Sequence, residues 1–215
     1  PGPYSSKESY EWAKKLADNL GLRFLQIPIE GEYESALRKL QKSLGPSEFG
    51  LMEENLQSRL RGIYLMAVSN REGSMLLGTS NKSELAVGYG TLYGDMIGGL
   101  MPIGDLLKTE VFKLSRYYNR ESEVIPAGII DRPPSAELRP NQKDSDSLPE
   151  YEELDPIIHR LVEGLSAPRG PVEQRVLDMM MKSEFKRWQS PPILKVSDHA
   201  FGRGRRFPIA HRGRV

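Results

Sequence analysis

One stretch narrows the possible folds more than any other: Gly78-Thr79-Ser80-Asn81-Lys82-Ser83-Glu84-Leu85-Ala86-Val87-Gly88-Tyr89-Gly90-Thr91-Leu92-Tyr93-Gly94-Asp95. It follows a short apolar run, Met75-Leu76-Leu77, and crowds hydroxyls, an amide, a lysine, a carboxylate and glycines into one turn and helix start. A hydrophobic core has no use for that mixture. In open α/β sheets, ligands bind where strands end and helices begin, so the stretch reads as a nucleotide site.

The remaining pattern supports an α/β fold. Residues 6–20 predict a helix, with Ser9 as its candidate cap and Tyr10, Ala13, Leu16 and Leu20 at helical spacing. Gly21 ends it, and 23–29 predicts a short strand. A long, polar helix is expected over 47–69, with Leu56, Leu60, Tyr64 and Met66 as its apolar positions. Glu72-Gly73 then turns into a strand at 75–77, and helices are expected over 82–88, 109–118, 151–164 and 172–188. Leu154, Ile157, Ile158 and Leu161 share one side of the first late helix; Val176, Met179 and Met180 point inward from the second. Alternating strands and helices imply a parallel sheet covered on both faces. The chain divides into an α/β core at 1–125, a proline-rich loop at 126–150, and C-terminal helices with a basic tail at 151–215. Pro126, Pro133, Pro134, Pro140 and Pro149 break any regular element in that loop. Long ordered loops of this kind tend to be lids or binding loops.

Composition removes several chemistries. With Cys 0, disulfides, thiolate nucleophiles and cysteine–zinc sites are excluded, and a cytoplasmic location is expected. No apolar run approaches the ~20 residues of a membrane helix, and no secretory start is visible. A net charge of +1 predicts no general attraction to nucleic acid. Charge does collect from Lys182 onward, where Lys186, Arg187, Lys195, Arg203, Arg205, Arg206, Arg212 and Arg214 face only Glu184 and Asp198. Such a tail suits a phosphorylated ligand or another subunit, although a solvated basic end is the simpler reading for Arg212 and Arg214. His159, His199 and His211 have no metal spacing.

Several side chains have the chemistry of a nucleotide site. Thr79, Asn81 and Glu84 lie at a strand end and first helical turn, where backbone N–H groups favour anions. A carboxylate and a phosphate in the same place call for Mg²⁺ between them, which makes Glu84 the candidate metal ligand. Ser80 and Ser83 read as helix caps. Lys108 opens a helix, where it opposes the dipole, so it makes more sense as a point charge on phosphate. Ser135 could join it there, though alone it is an ordinary turn serine. Asn55 and Arg59 stand four apart on one helix face, where an exposed Glu–Arg ladder is the simpler reading of that segment alone. Lys186 and Arg187 end a helix, where the dipole already favours cations.

Taken in order, Glu54-Asn55-Leu56-Gln57-Ser58-Arg59-Leu60-Arg61, Gly78 to Asp95, Pro102 to Thr109, Pro133 to Leu138 with Gln142 and Asp144, Lys186 to Pro192, and Phe201 to Ile209 closely resemble the synthetase domain of NAD⁺ synthetase of the glutamine-dependent type. The resemblance implies an adenine nucleotide α-hydrolase-like, three-layer, parallel-sheet fold. It also implies a ligase that uses ATP and Mg²⁺ to adenylate the carboxylate of deamido-NAD⁺, releasing pyrophosphate, before ammonia displaces AMP. By the same resemblance Thr79 contacts ATP, Lys108 and Ser135 serve the ATP phosphates, and Glu84 holds Mg²⁺ beside deamido-NAD⁺. Asn55, Arg59, Asp95 and Lys186 hold the dinucleotide. Ammonia would come from a glutaminase domain outside these residues, and family members are homo-oligomers. Leu92 and Gly99 depart from the lysine and aspartate frequent in ammonia-dependent members, and Ser135 from their threonine. The family's Ser-Gly-Gly-x-Asp-Ser pyrophosphate loop does not occur in this sequence, so an N-terminally incomplete sheet with an unpaired edge and weak activity is expected. A non-catalytic nucleotide-binding or interface module, or another amide ligase of the same fold, are the alternatives.

Overall fold

A computed structural model of the chain describes residues 1–202; His211 and the arginines beyond Gly202 lie outside the described residues. Helices dominate. The first, α1 (Lys7–Asn19), is capped by Ser6 rather than Ser9: Ser6 Oγ accepts the Ser9 amide at 3.1 Å. The next, α2 (Glu30–Leu44), has no counterpart in the sequence expectation, although Tyr33, Leu37, Leu40 and Leu44 recur at its period. The long helix α3 (Leu51–Glu72) starts later than expected, at Gly50, whose amide donates to Glu53 Oε2 at 2.8 Å. It stops at Gly73, whose left-handed φ of 61° suits glycine.

The sheet is smaller than expected. Residues 23–29 pair with nothing as a strand among the described residues, and Leu25 and Ile27 stay exposed. An extended segment becomes a strand only when a neighbour takes its backbone groups. Three short segments do meet in parallel: Leu77 bridges Leu100, and Met101 bridges Ile193. Gly78 N donates to Leu100 O and Met101 N to Pro192 O, each at 2.8 Å. The far side of the 75–77 segment carries no cover among the described residues, with Met75 66% and Leu77 51% exposed. The anticipated burial of both faces is therefore not realised there.

The core lies on the other side. It joins α4 (Lys82–Val87), α7 (Tyr151–Val162) and α8 (Pro171–Lys182), while α5 (Lys108–Tyr118) lies against α4 and α7 without a buried side chain of its own. Leu154, Ile157, Ile158 and Leu161 of α7 are buried as their spacing requires, together with Val176 and Met180 of α8. Each such side chain contributes roughly 1.5–3 kcal/mol on burial. The proline-rich stretch is more regular than expected: it holds α6 (Ala127–Asp131), entered through Pro126, and a 3₁₀ turn at Asp144–Asp146. Proline breaks helix interiors but suits their starts. The helix expected over 172–188 is split. Ser183 interrupts it, donating to Ala86 O at 3.2 Å, and α9 (Glu184–Arg187) follows. No helix among the described residues is long and apolar enough to cross a membrane.

Candidate active site

The start of α4 is organised by its own side chains. Asn81 Oδ1 accepts the Glu84 amide at 3.0 Å, and Glu84 Oε2 accepts the Asn81 amide at 3.1 Å. This reciprocal capping box satisfies two orphan donors, and it makes Asn81 the cap in place of Ser80 and Ser83. Ser83 instead ties helices together. Its hydroxyl donates to the buried Asp155 carboxylate and accepts the Lys108 amide at 2.9 Å, while Asp155 Oδ2 accepts the Thr109 amide at 2.8 Å. The first turn of α5 is thereby fixed against α4 and α7.

That stitching sets Lys108 opposite Glu84. Lys108 Nζ lies 3.0 Å from Glu84 Oε1, 5.4 Å from the Tyr151 ring centroid and 5.9 Å from that of Phe112. A cation at a helix N-terminus opposes the dipole; the carboxylate and the ring faces offset that cost. Tyr151 Oη donates to Asp144 Oδ2 at 2.8 Å, and burial pushes its phenol well above the usual range, with Glu84 and Asp144 adding to the rise. Burial also pushes the Glu84 carboxyl up, against the opposing pull of Lys108.

A second group gathers across from this pair. Thr91 Oγ1 donates to Asn55 Oδ1 at 2.6 Å. Asp95 Oδ1 accepts from Ser58 Oγ and from the Thr91 amide, each at 2.8 Å. Lys186 crosses from α9 to donate to the carbonyls of Gly88 at 2.8 Å and Gly90 at 2.7 Å. It therefore serves the glycine turn after α4 rather than its own helix dipole. Burial pulls its ammonium pKa down, with Asp95 resisting. Ser135 Oγ accepts the Glu137 amide at 3.1 Å, the geometry of a turn serine.

One open cavity of 1090 Å³ joins both groups: Asn55, Thr79, Glu84, Asp95, Lys108, Ser135 and Lys186 all line it. Arg59 does not. It is exposed on α3, with Nε donating to Leu92 O at 3.2 Å, although its charge reaches Lys186. The guanidinium that α3 turns into the cavity is Arg61, and Asp144 also lines it. Neither has an assigned role in the sequence reading. Arg61 was findable, because it lies three residues after Ser58 and seven after Glu54 on one face.

The arrangement is a nucleotide-sized cleft with cations and carboxylates from separate segments converging on it, and a model of the NAD synthase family matches residues 1–190. The chain belongs to the NAD synthase family. Its relatives include glutamine-dependent NAD⁺ synthetases of Synechocystis, 51% identical over 98% of this chain, and of Thermotoga maritima, 47% identical over 99%. The chain spans only 39% and 38% of the length of those two proteins. Among solved structures, the glutamine-dependent NAD⁺ synthetase of Acinetobacter baumannii in complex with ADP matches 97% of this chain and 39% of its own, at 37% identity and a TM-score of 0.60. The NMN synthetase of Francisella tularensis matches 86% of this chain and 73% of its own, at 27% identity and a TM-score of 0.72. The fold is that of NAD synthetases, the adenine nucleotide α-hydrolase-like class, with its helices far more complete than its sheet.

Proposed function

We propose that this chain carries the amide-forming half of a glutamine-dependent NAD⁺ synthetase: ATP adenylates the deamido-NAD⁺ carboxylate, pyrophosphate leaves, and ammonia displaces AMP. The observation that carries this reading is the single cavity shared by Thr79, Glu84, Lys108 and Ser135 on one side and by Asn55, Asp95 and Lys186 on the other. A carboxylate is a poor acyl donor until its oxygen is turned into a leaving group. Catalysis then needs positioning and charge stabilisation more than a side-chain nucleophile.

Lys108 supplies the positive charge for the transferred phosphates, and its ion pair with Glu84 keeps it neutralised until they arrive. Ser135 offers a hydroxyl from the proline-rich loop, and Thr79 one from the strand end. Glu84 fits a Mg²⁺ that enters with the nucleotide: it is a carboxylate at the cavity wall whose ionised form burial disfavours. No group of three acidic, histidine or cysteine side chains able to hold a metal occurs among the described residues. That suits an ion held by one or two carboxylates plus substrate phosphates and water. When bound, Mg²⁺ would neutralise charge building on those phosphates. Asn55, Arg59, Asp95 and Lys186 take the dinucleotide, with Arg59 acting from the rim. Homo-oligomerisation belongs to the same reading, supported by exposed Leu51 and Ile63 on α3. Sedimentation tests it.

The test is NAD⁺ formation from ATP, deamido-NAD⁺ and ammonia, with AMP and pyrophosphate appearing one for one. These 215 residues carry no Ser-Gly-Gly-x-Asp-Ser loop, so slow turnover is expected from them alone, and normal turnover would contradict that part. The likeness to an NMN synthetase makes nicotinic acid mononucleotide the rival substrate. Tighter binding of the mononucleotide than of deamido-NAD⁺ would favour that rival.

A further inference from the structure

Arg61 projects from α3 into the cavity with no hydrogen bond or ion pair to any described residue. Two carboxylates lie within its electrostatic reach, Glu137 and Asp95. Both are engaged elsewhere. Glu137 accepts from Ser9 Oγ at 2.9 Å and Arg132 Nη2 at 2.6 Å, and Asp95 accepts from Ser58 and Thr91. Gly2 lies close against one side of the guanidinium, where a Cβ would come within 2.8 Å of Arg61 Nη2, and the cavity lies beside the residue. Burial works against the charge, and those two carboxylates only partly offset it. A half-buried guanidinium without a fork partner, facing an open cleft, is a bidentate site for an oxyanion. Its position between Asp95, on the dinucleotide side, and Glu137, beside Ser135, puts it where phosphoryl groups of either substrate can reach.

We propose that Arg61 is a substrate-binding residue that grips a diphosphate group inside the cavity, alongside the contact that Arg59 makes from the rim. This rests on the function proposed above. The diphosphate comes from deamido-NAD⁺, from ATP or from the pyrophosphate product, and the same chemistry serves each.

The experiment is calorimetric titration of the 215-residue chain with deamido-NAD⁺, ATP with Mg²⁺, and inorganic pyrophosphate with Mg²⁺. The proteins are wild type, Arg61→Gln, Arg61→Lys and Lys108→Gln, each with a melting curve. At least a ten-fold loss of affinity for one of the three in Arg61→Gln supports the proposal and names the source. A smaller loss in Arg61→Lys, which keeps charge but not the fork, supports it further. Affinities within two-fold of wild type for all three overturn it. So does a fall in the ligand-free melting temperature with unchanged affinities, which would mark a purely structural arginine. If wild type binds and Lys108→Gln weakens binding while Arg61→Gln does not, this inference alone fails. If wild type binds none of the three, the proposed function fails with it.

Discussion

Replacing Lys82 with methionine should destabilise the protein strongly. Lys82 is 3% exposed, and its ammonium sits 2.9 Å from Asp105 Oδ1, 2.5 Å from Glu163 Oε1 and 2.7 Å from Ser197 Oγ. Asp105 is equally buried and also accepts the amides of Val196 and Ser197, each at 2.7 Å. The cluster thus fastens the start of α4, the segment before α5, the end of α7 and the chain near 196–199. Lys82→Met fits the same space but leaves two carboxylates facing each other without a cation, a loss of about 3–5 kcal/mol for breaking a buried pair. At about 2–4 °C per kcal/mol for a chain of this size, the melting temperature should fall by roughly 6–20 °C. Calorimetry of Lys82→Met, Glu163→Gln and the double variant checks the cause. The double variant should be more stable than Lys82→Met alone, because one stranded charge is gone. A shift under about 2 °C in Lys82→Met, or strict additivity in the double variant, would refute the reasoning.

Acid should unfold the protein through the same cluster. Burial works to raise the Glu163 carboxyl, but hydrogen bonds from Lys82 and Ser197 outweigh it and hold the pKa at about 2; Asp105 is likewise held low. Stability from Glu163 is complete above the unfolded value of 4.5 and drains as pH falls toward about 2, with Glu84, which burial raises, working the other way. Chemical denaturation at several pH values reads this out, and Lys82→Met should flatten the dependence. Gly88→Ala should be destabilised by more than the ~1 kcal/mol of a mere glycine effect, because φ is +71° and a Cβ would lie 2.2 Å from Ser183 Cβ; a melting curve equal to wild type would contradict the close approach. Tyr151→Phe keeps the ring beside Lys108 but strands the buried Asp144 carboxylate, so about 1–3 kcal/mol should be lost. Faster proteolysis within 132–148 would mark the loosened loop.

Much of this was legible from residues alone. The Gly78 to Asp95 stretch stood out by its mixed polar composition, yet the interior accepts much of it, because Asn81, Lys82 and Ser83 are buried with partners; α7 was legible because Leu154, Ile157, Ile158 and Leu161 hold a strict period. Asn55, Thr79, Glu84, Asp95, Lys108, Ser135 and Lys186 share one cavity, as a common site requires. The failures have local causes. Ser6 and Ser9 are both good caps, and only geometry chooses between them. A strand at 23–29 depends on a neighbour that no propensity can supply. The split at Ser183 answers Ala86, about a hundred residues away. Arg59 and Arg61 differ by two positions, and on a helix that is enough to send them to different faces.

The clasp at α9 has a practical implication. Arg187 donates to the carbonyls of Leu85 at 2.9 Å and Ala86 at 2.6 Å, just as Lys186 holds those of Gly88 and Gly90. The glycine turn that walls the cleft is thus moulded from behind by two consecutive side chains near the far end of the sequence. Any shortened or fused version that disturbs residues 183–190 is therefore an edit to the cleft itself, and a loss of ligand affinity in such a version would not by itself implicate the ligand-facing residues of the other elements.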